Sequence, residues 1–143
     1  MTGGPYRRVL VGWDASTDAI AALDAATAIA GGREGHVVAL TVLPRVAHLE
    51  SADGEQAPAR WQAQERFEQA RQALRVRTVR ISLHMIEAEK AGSALCEYAA
   101  DHGFDLLVLG RHGHGGSSRH HLGQVAEAAA RGSAIPVLLL SRS

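Results

Sequence analysis

The feature that most constrains this fold is a regular alternation of short aliphatic runs with helix-patterned segments. The aliphatic runs cover residues 9–12, 36–43, 79–85, 104–110 and 134–140. The segments between them repeat apolar residues at helical spacing or are rich in alanine. The order βαβαβαβαβ predicts an α/β fold, a doubly wound parallel sheet with helices on both faces and right-handed crossovers. A single domain over residues 1–143 suffices for this arrangement.

The first helix has sequence signals at both ends. Ser16 or Thr17 is a suitable N-cap, and Asp18 suits the positive first turn. Gly31 and Gly32 stop the helical pattern. The residues that recur at helical spacing in this segment are Ile20, Leu23, Thr27 and Ala30.

The middle of the chain is less regular. Residues 44–60 contain two prolines and no sustained period, which predicts a loop. A helix of about 15 residues follows, with its apolar stripe at Ala63, Phe67, Ala70 and Leu74. Residues 79–85 alternate apolar and polar side chains, as in an edge strand. Ser93 is the predicted cap of the next helix.

Composition excludes several functions. Fifteen basic and fifteen acidic residues cancel, so no global field attracts nucleic acid or anionic lipid. No targeting segment and no run long enough to span a bilayer is present, and we expect a cytoplasmic protein. The single cysteine, Cys96, reads as an inert core thiol. Trp13 and Trp61 read as packing residues.

The loop GRHGHGGSSRHHLG, residues 110–123, is the strongest candidate for a site. It holds five glycines and four histidines, and no acidic residue occurs between Leu106 and Ala126. Glycines let backbone N–H groups approach a ligand closely, and a helix starting near Gly123 adds a positive dipole end. This chemistry favours an anion. The alternative is a solvated glycine-rich turn.

Known fingerprints and metal ligation fit this loop less well. The chain has no GxxxxGK[ST] loop, no GxGxxG after the first strand and no GxSxG elbow. The loop imidazoles could bind zinc, but they have no cysteine or carboxylate nearby, so no physiological metal is expected. Those imidazoles belong to His112, His114, His120 and His121.

Asp14 lies in a second candidate loop, WDAST, just after the first strand. Such an aspartate serves as a base, a metal ligand, a purine or ribose contact, or a helix cap. Because Ser16 and Thr17 already supply caps, a role in a pocket is favoured. If strands one and four are neighbours, both loops face one crevice at the carboxyl ends of the strands.

Over essentially its whole length, the chain resembles the universal stress protein family. The family signature, Gly-x2-Gly-x9-Gly followed by Ser or Thr, matches at Gly110, Gly113 and Gly123. DLLVLG before the loop, IPVLLL after the next helix and VLVGWDAST near the start also resemble the family.

This resemblance implies the strand order 3-2-1-4-5 and ATP or another adenine nucleotide, with Mg²⁺ as counter-ion. Asp14 and the backbone of Val42 would then meet adenine. His112 and the three signature glycines would surround ribose and phosphates, and Gln124 and Val125 would lie where the phosphates meet the helix. The resemblance also suggests a homodimer. The aliphatic last strand, residues 135–140, would be an unpaired edge of the sheet and would join the two copies.

Two departures from the family pattern bear on function. Hydroxyl groups are expected at the positions of Gln124 and Ala126, so phosphate binding should be weaker. The first hypothesis is a nucleotide-binding stress-response regulator. The second is a dimeric interaction protein without nucleotide. An enzyme is less favoured, with slow ATP hydrolysis at most. The glycine loop has no carboxylate, and the chain has no P-loop lysine, to hold magnesium or orient water, so no catalytic residue is assigned.

Overall fold

The structure is a computed structural model, which describes residues 6–31, 34–45, 52–74, 78–111 and 123–141, without the side chains of residues 52–56. The described strands are β1 (Arg8–Gly12), β2 (His36–Pro44), β3 (Arg80–Ala88), β4 (Leu106–Gly110) and β5 (Val137–Leu140). The helices are α1 (Thr17–Ala30), α2 (Ala52–Gln72), α3 (Ala91–Asp101) and α4 (Gln124–Gly132). Among these residues no helix is both long and apolar enough to cross a membrane.

The predicted sheet is confirmed: all its pairings are parallel, in the order β3-β2-β1-β4-β5. Helices α1 and α2 pack on one face, where the core includes Leu23, Phe67 and Val108. Helices α3 and α4 pack on the other, around Leu10, Leu95 and Leu107. The central strands are therefore covered on both sides, which explains their continuous aliphatic sequence.

Helix α1 begins as predicted. The Ser16 side chain accepts a hydrogen bond from the Ala19 N–H at 3.1 Å, and Gly31 ends the helix at φ +44°. Of the four residues at helical spacing, Leu23, Thr27 and Ala30 are buried, whereas Ile20 is 36% exposed. Small residues, among them Ala19, Ala22 and Ala26, face the sheet instead, and they let the helix lie close to it.

The predicted loop over residues 44–60 was wrong in its second half, because α2 starts at Ala52 and contains Pro58. Proline removes one backbone donor and obstructs the carbonyl four residues earlier. Pro58 itself is exposed. The prediction that Trp61 is a packing residue was also wrong, because its side chain is 65% exposed on this helix.

The prediction that Ser93 caps α3 was also wrong. Lys90 occupies the N-cap position without a side-chain hydrogen bond, and Ser93 lies exposed inside the first turn. Strand β3 runs to Ala88, so the chain turns into the helix before it reaches Ser93. Strand β3 does lie at a sheet edge, as predicted.

Candidate functional site

Strands β1 and β4 are neighbours at the centre of the sheet, and both candidate loops follow their carboxyl ends. After β1 the chain enters α1 on one face, whereas after β4 it enters α4 on the other. Connections that leave toward opposite faces open a crevice between adjacent strands, the usual ligand position in doubly wound sheets.

The Asp14 turn forms one wall of this crevice. The Ser16 N–H donates to Asp14 Oδ1 at 2.9 Å, and the Asp14 side chain is exposed. Ala15 adopts φ +64°, a left-handed conformation that costs a non-glycine residue about 1 kcal/mol. Such strain tends to occur at binding sites. The carboxylate therefore shapes the turn and still faces solvent.

Val42 lies at the carboxyl end of β2, beside the Asp14 turn. Its neighbour Thr41 donates a side-chain hydrogen bond to the Trp13 carbonyl at 2.9 Å. The backbone groups of even-numbered β2 residues point toward β1. The hydrogen bond that the Trp13 N–H donates to the Leu40 carbonyl, at 2.9 Å, shows this direction. Pairing with β1 ends at Leu40, so the backbone of Val42 faces the space beyond the end of β1. This is a suitable edge for recognising a flat base.

Gly110, the first signature glycine, ends β4 against the start of α1. A Cβ at this position would lie 2.7 Å from the Asp18 Cβ, so only glycine allows this approach. Asp18 is only 8% exposed, and it lies at the start of α1 against the end of β4, which forms the base of the crevice. From the sequence, Asp18 was predicted only to favour the first turn of the helix. Its proximity to Gly110 could not be predicted, because it depends on how α1 packs against β4.

The stem of the glycine loop is closed by backbone hydrogen bonds. The Gly123 N–H donates to the Arg111 carbonyl at 2.9 Å, and the Arg111 N–H donates to the Leu140 carbonyl at 2.6 Å. The ends of the loop are therefore held together beside β5. His112 and Gly113, and the other loop histidines, lie outside the described residues.

Helix α4 starts at this stem. Gly123 is its N-cap and supplies no side-chain acceptor to the first turn. Gln124 is exposed and Val125 is half-buried, whereas Ala126 is 2% exposed. The early N–H groups of a helix lack intrahelical acceptors, and with the dipole they favour an anion. The predicted positions of Gly123, Gln124 and Val125 thus lie together at one helix start.

The described residues contain no group of three or more His, Cys, Asp or Glu side chains that could hold a metal ion. Asp14 and Asp18 are the carboxylates at the start of α1.

A family model described as the universal stress protein family matches residues 5–141. The chain belongs to the universal stress protein family. Comparison with curated proteins gives no significant match.

Three solved structures show how closely the universal stress protein fold is kept. Protein MJ0577 is 23% identical over 96% of this chain and 97% of its own, with a TM-score of 0.81. A universal stress protein in complex with cAMP is 24% identical over 98% of this chain and 100% of its own, with a TM-score of 0.69. The universal stress protein from Archaeoglobus fulgidus in complex with dAMP is 19% identical over 93% of this chain and 94% of its own, with a TM-score of 0.67. At these identities the likeness supports the fold.

Proposed function

We propose that this universal stress protein binds an adenine nucleotide, ATP or a close relative, in the crevice between the Asp14 turn and the loop from Gly110 to Gly123. It acts as a cytoplasmic regulator of a stress response, without efficient catalysis. The observation that carries the proposal is the closed loop stem. Its hydrogen bond joins the two described ends of the loop at a helix start that has no side-chain cap. Gly110 at the same stem lies against Asp18, shortly after the strained turn at Ala15.

Each part of the crevice suits one part of the nucleotide. The backbone of Val42 and the Asp14 carboxylate can hydrogen-bond the base. The loop glycines with His112, and the helix start at Gln124 and Val125, supply donors for ribose and phosphates. Relatives in complex with cAMP and dAMP support an adenine nucleotide as the ligand class.

The affinity should be modest because Gln124 and Ala126 lack the hydroxyls of the family pattern. Gln124 is exposed at the helix start and offers an amide, whereas Ala126 is buried and offers no side-chain donor. We expect a Kd in the micromolar range or weaker, about −8 kcal/mol at the tight end.

Calorimetric titration with ATP, ADP and AMP tests the proposal, together with native mass spectrometry of freshly purified protein. The variant Asp14→Asn keeps an acceptor for the Ser16 N–H and removes the charge, whereas Asp14→Ala removes both. Weaker binding in both variants indicates direct contact with the nucleotide. Weaker binding only in Asp14→Ala assigns the role to turn geometry. Glu65→Gln on the exposed face of α2 is the control for charge and should leave binding unchanged.

Gln124→Ser and Ala126→Ser examine the missing hydroxyls separately. Gln124→Ser should tighten binding about tenfold, since a hydroxyl donor to a charged phosphate oxygen is worth about 1.5 kcal/mol. Ala126→Ser adds an oxygen at a buried position and should help less. Unchanged affinity in both would show that these positions do not limit binding.

The second candidate function is a dimeric interaction protein of the same fold that has lost nucleotide binding. The absent hydroxyls favour it, and so does the uncharged edge strand β5, through which residues 135–140 would join two copies. Undetectable binding of all three nucleotides at millimolar concentration, by a correctly folded dimer, would replace the first candidate with this one.

A further inference from the structure

Three cationic or titratable residues stand side by side at the amino ends of adjacent strands, opposite the crevice. Arg8 of β1 is the register partner of His36 in β2, and His36 is the register partner of Arg80 in β3. Neighbouring strands lie about 4.8 Å apart, and register partners project from the same face of a parallel sheet. We name Arg8, His36 and Arg80 the cationic row.

Contacts place the cationic row on the face covered by α3. The Arg8 guanidinium carbon lies 4.8 Å above the ring centre of Phe104, and Nη2 donates to the His102 carbonyl at 3.0 Å. His36 Nε2 lies 3.2 Å from Ser82 Oγ. These contacts hold two members of the row in place while leaving the row at the surface.

A second tier of polar rings borders the row. His84 Nδ1 lies 2.8 Å from the Tyr98 hydroxyl, and the His102 ring stacks on Tyr98 with centroids 4.0 Å apart. His84 and His102 are both exposed. Each imidazole uses Nδ1 within the protein, since His102 Nδ1 lies 3.0 Å from the Tyr98 carbonyl. Nε2 of each ring can therefore serve a ligand.

Two carboxylates at this end of the sheet already have partners other than the side chains of the row. Asp105 Oδ2 accepts from the backbone N–H groups of Arg7 and Arg8, at 3.1 and 3.0 Å, and Glu34 pairs with Arg7. Within the described part of the chain, no carboxylate lies at ion-pair distance from Arg8 or Arg80.

His36 responds to this excess of positive charge. Burial lowers its pKa first, and the charges of Arg80, Arg8 and His84 lower it further. Like charges on neighbouring strands destabilise a sheet unless something neutralises them. An anion bound between these residues would offset that repulsion.

We propose that Arg8, His36 and Arg80 form a binding site for a phosphate dianion, free or as a small phosphomonoester. Guanidinium groups on either side of a central imidazole match the several oxygens of one phosphate. The site lies at the opposite end of the sheet from the nucleotide crevice and does not depend on it.

Histidine NMR on the full chain tests this site, with inorganic phosphate and glycerol phosphate as the probes. Phosphate should raise the pKa of His36 and also raise the Tm, whereas sodium chloride at equal ionic strength should do neither to the same extent. Arg80→Gln and Arg8→Gln should each weaken phosphate binding about tenfold, the usual loss for a charged hydrogen bond. Both arginines are exposed, so these variants should fold, and circular dichroism checks this.

Arg60→Gln is the matched control, because it removes the same charge near the carboxyl end of β3, where Arg60 pairs with Glu87 at 3.3 Å. It should leave phosphate binding unchanged. Asp14→Ala, which affects the crevice, should also leave it unchanged, so the two proposals can fail separately. An equal response to chloride, or the same phosphate affinity in Arg80→Gln as in the wild type, overturns the site. Tighter binding of glycerol phosphate than of phosphate would identify an ester as the ligand.

Discussion

At the scale of single residues, His36 couples stability to pH. Its pKa is lowered in the folded chain by burial and by Arg80 and Arg8, so the unfolded chain takes up the proton first. The free energy of unfolding should therefore fall as the pH drops through about 6.5, the ordinary histidine value, toward the lower folded pKa. Urea unfolding in phosphate-free buffer between pH 7.5 and 5.5 measures this, and His36→Gln should reduce the slope. An identical slope in that variant would contradict the assignment.

Gly110 is the residue whose replacement tests the base of the crevice. In Gly110→Ala the new Cβ would lie 2.7 Å from the Asp18 Cβ. Strand β4 and helix α1 must therefore move apart. We expect a loss of about 1–3 kcal/mol in the free energy of unfolding, together with weaker nucleotide binding. Gly132→Ala is the control, because a Cβ there meets nothing within 4 Å. If both variants unfold at the same urea concentration, the close approach of β4 to α1 is not required.

At the scale of elements, the contact between α3 and α4 depends on two small residues. A Cβ at Gly92 would lie 2.5 Å from the Ala128 Cβ, so Gly92→Ala should destabilise the protein by about 1–3 kcal/mol. Ala128→Gly should relieve the clash in the double variant and make the two changes non-additive. Urea unfolding of the four proteins of this cycle gives the coupling energy. Strict additivity would show that the helices do not meet there.

How well each element could be predicted depends on how many of its faces are buried. Strands β1 and β4 are covered on both sides, so their aliphatic runs indicated both their type and their central place. The described side chains of α2, from residue 57 onward, are mostly exposed, and Pro58 with the polar residues around it pointed to a loop. Trp61 was taken for a core residue because its type is usually buried, yet position on the helix, which sequence alone does not fix, leaves it exposed.

The same reasoning applies to the candidate site. The turn signals at Asp14 and the glycine spacing were visible in the sequence because they are local. The contact of Gly110 with Asp18 and the row formed by Arg8, His36 and Arg80 join segments far apart in the chain. Only the strand order and register, which depend on the packing of the whole sheet, bring these residues together.

At the scale of the whole molecule, the two edges of the sheet differ in charge. Strand β3 carries Arg80, His84 and Glu87 along its nine residues, and such charges oppose pairing with another sheet. Strand β5, with the sequence VLLL, carries none, and its side chains are only half-buried. Within the described residues the only edge guard visible is Pro136, just before the strand; in the sequence a short polar tail, residues 141–143, follows Leu140.

We therefore expect a homodimer in which β5 pairs with its two-fold copy, the commonest closed symmetry. Pairing would satisfy the open row of backbone groups and bury the half-exposed leucines. Leu139→Lys should yield monomer or insoluble protein, because it places a charge in that interface. His84→Lys, which adds a cation to the opposite edge, should remain dimeric. Light scattering coupled to gel filtration distinguishes these states at tens of micromolar. A wild-type protein that stays monomeric there would rule out this dimer, and its β5 edge would then have to be protected by Pro136 and the tail alone.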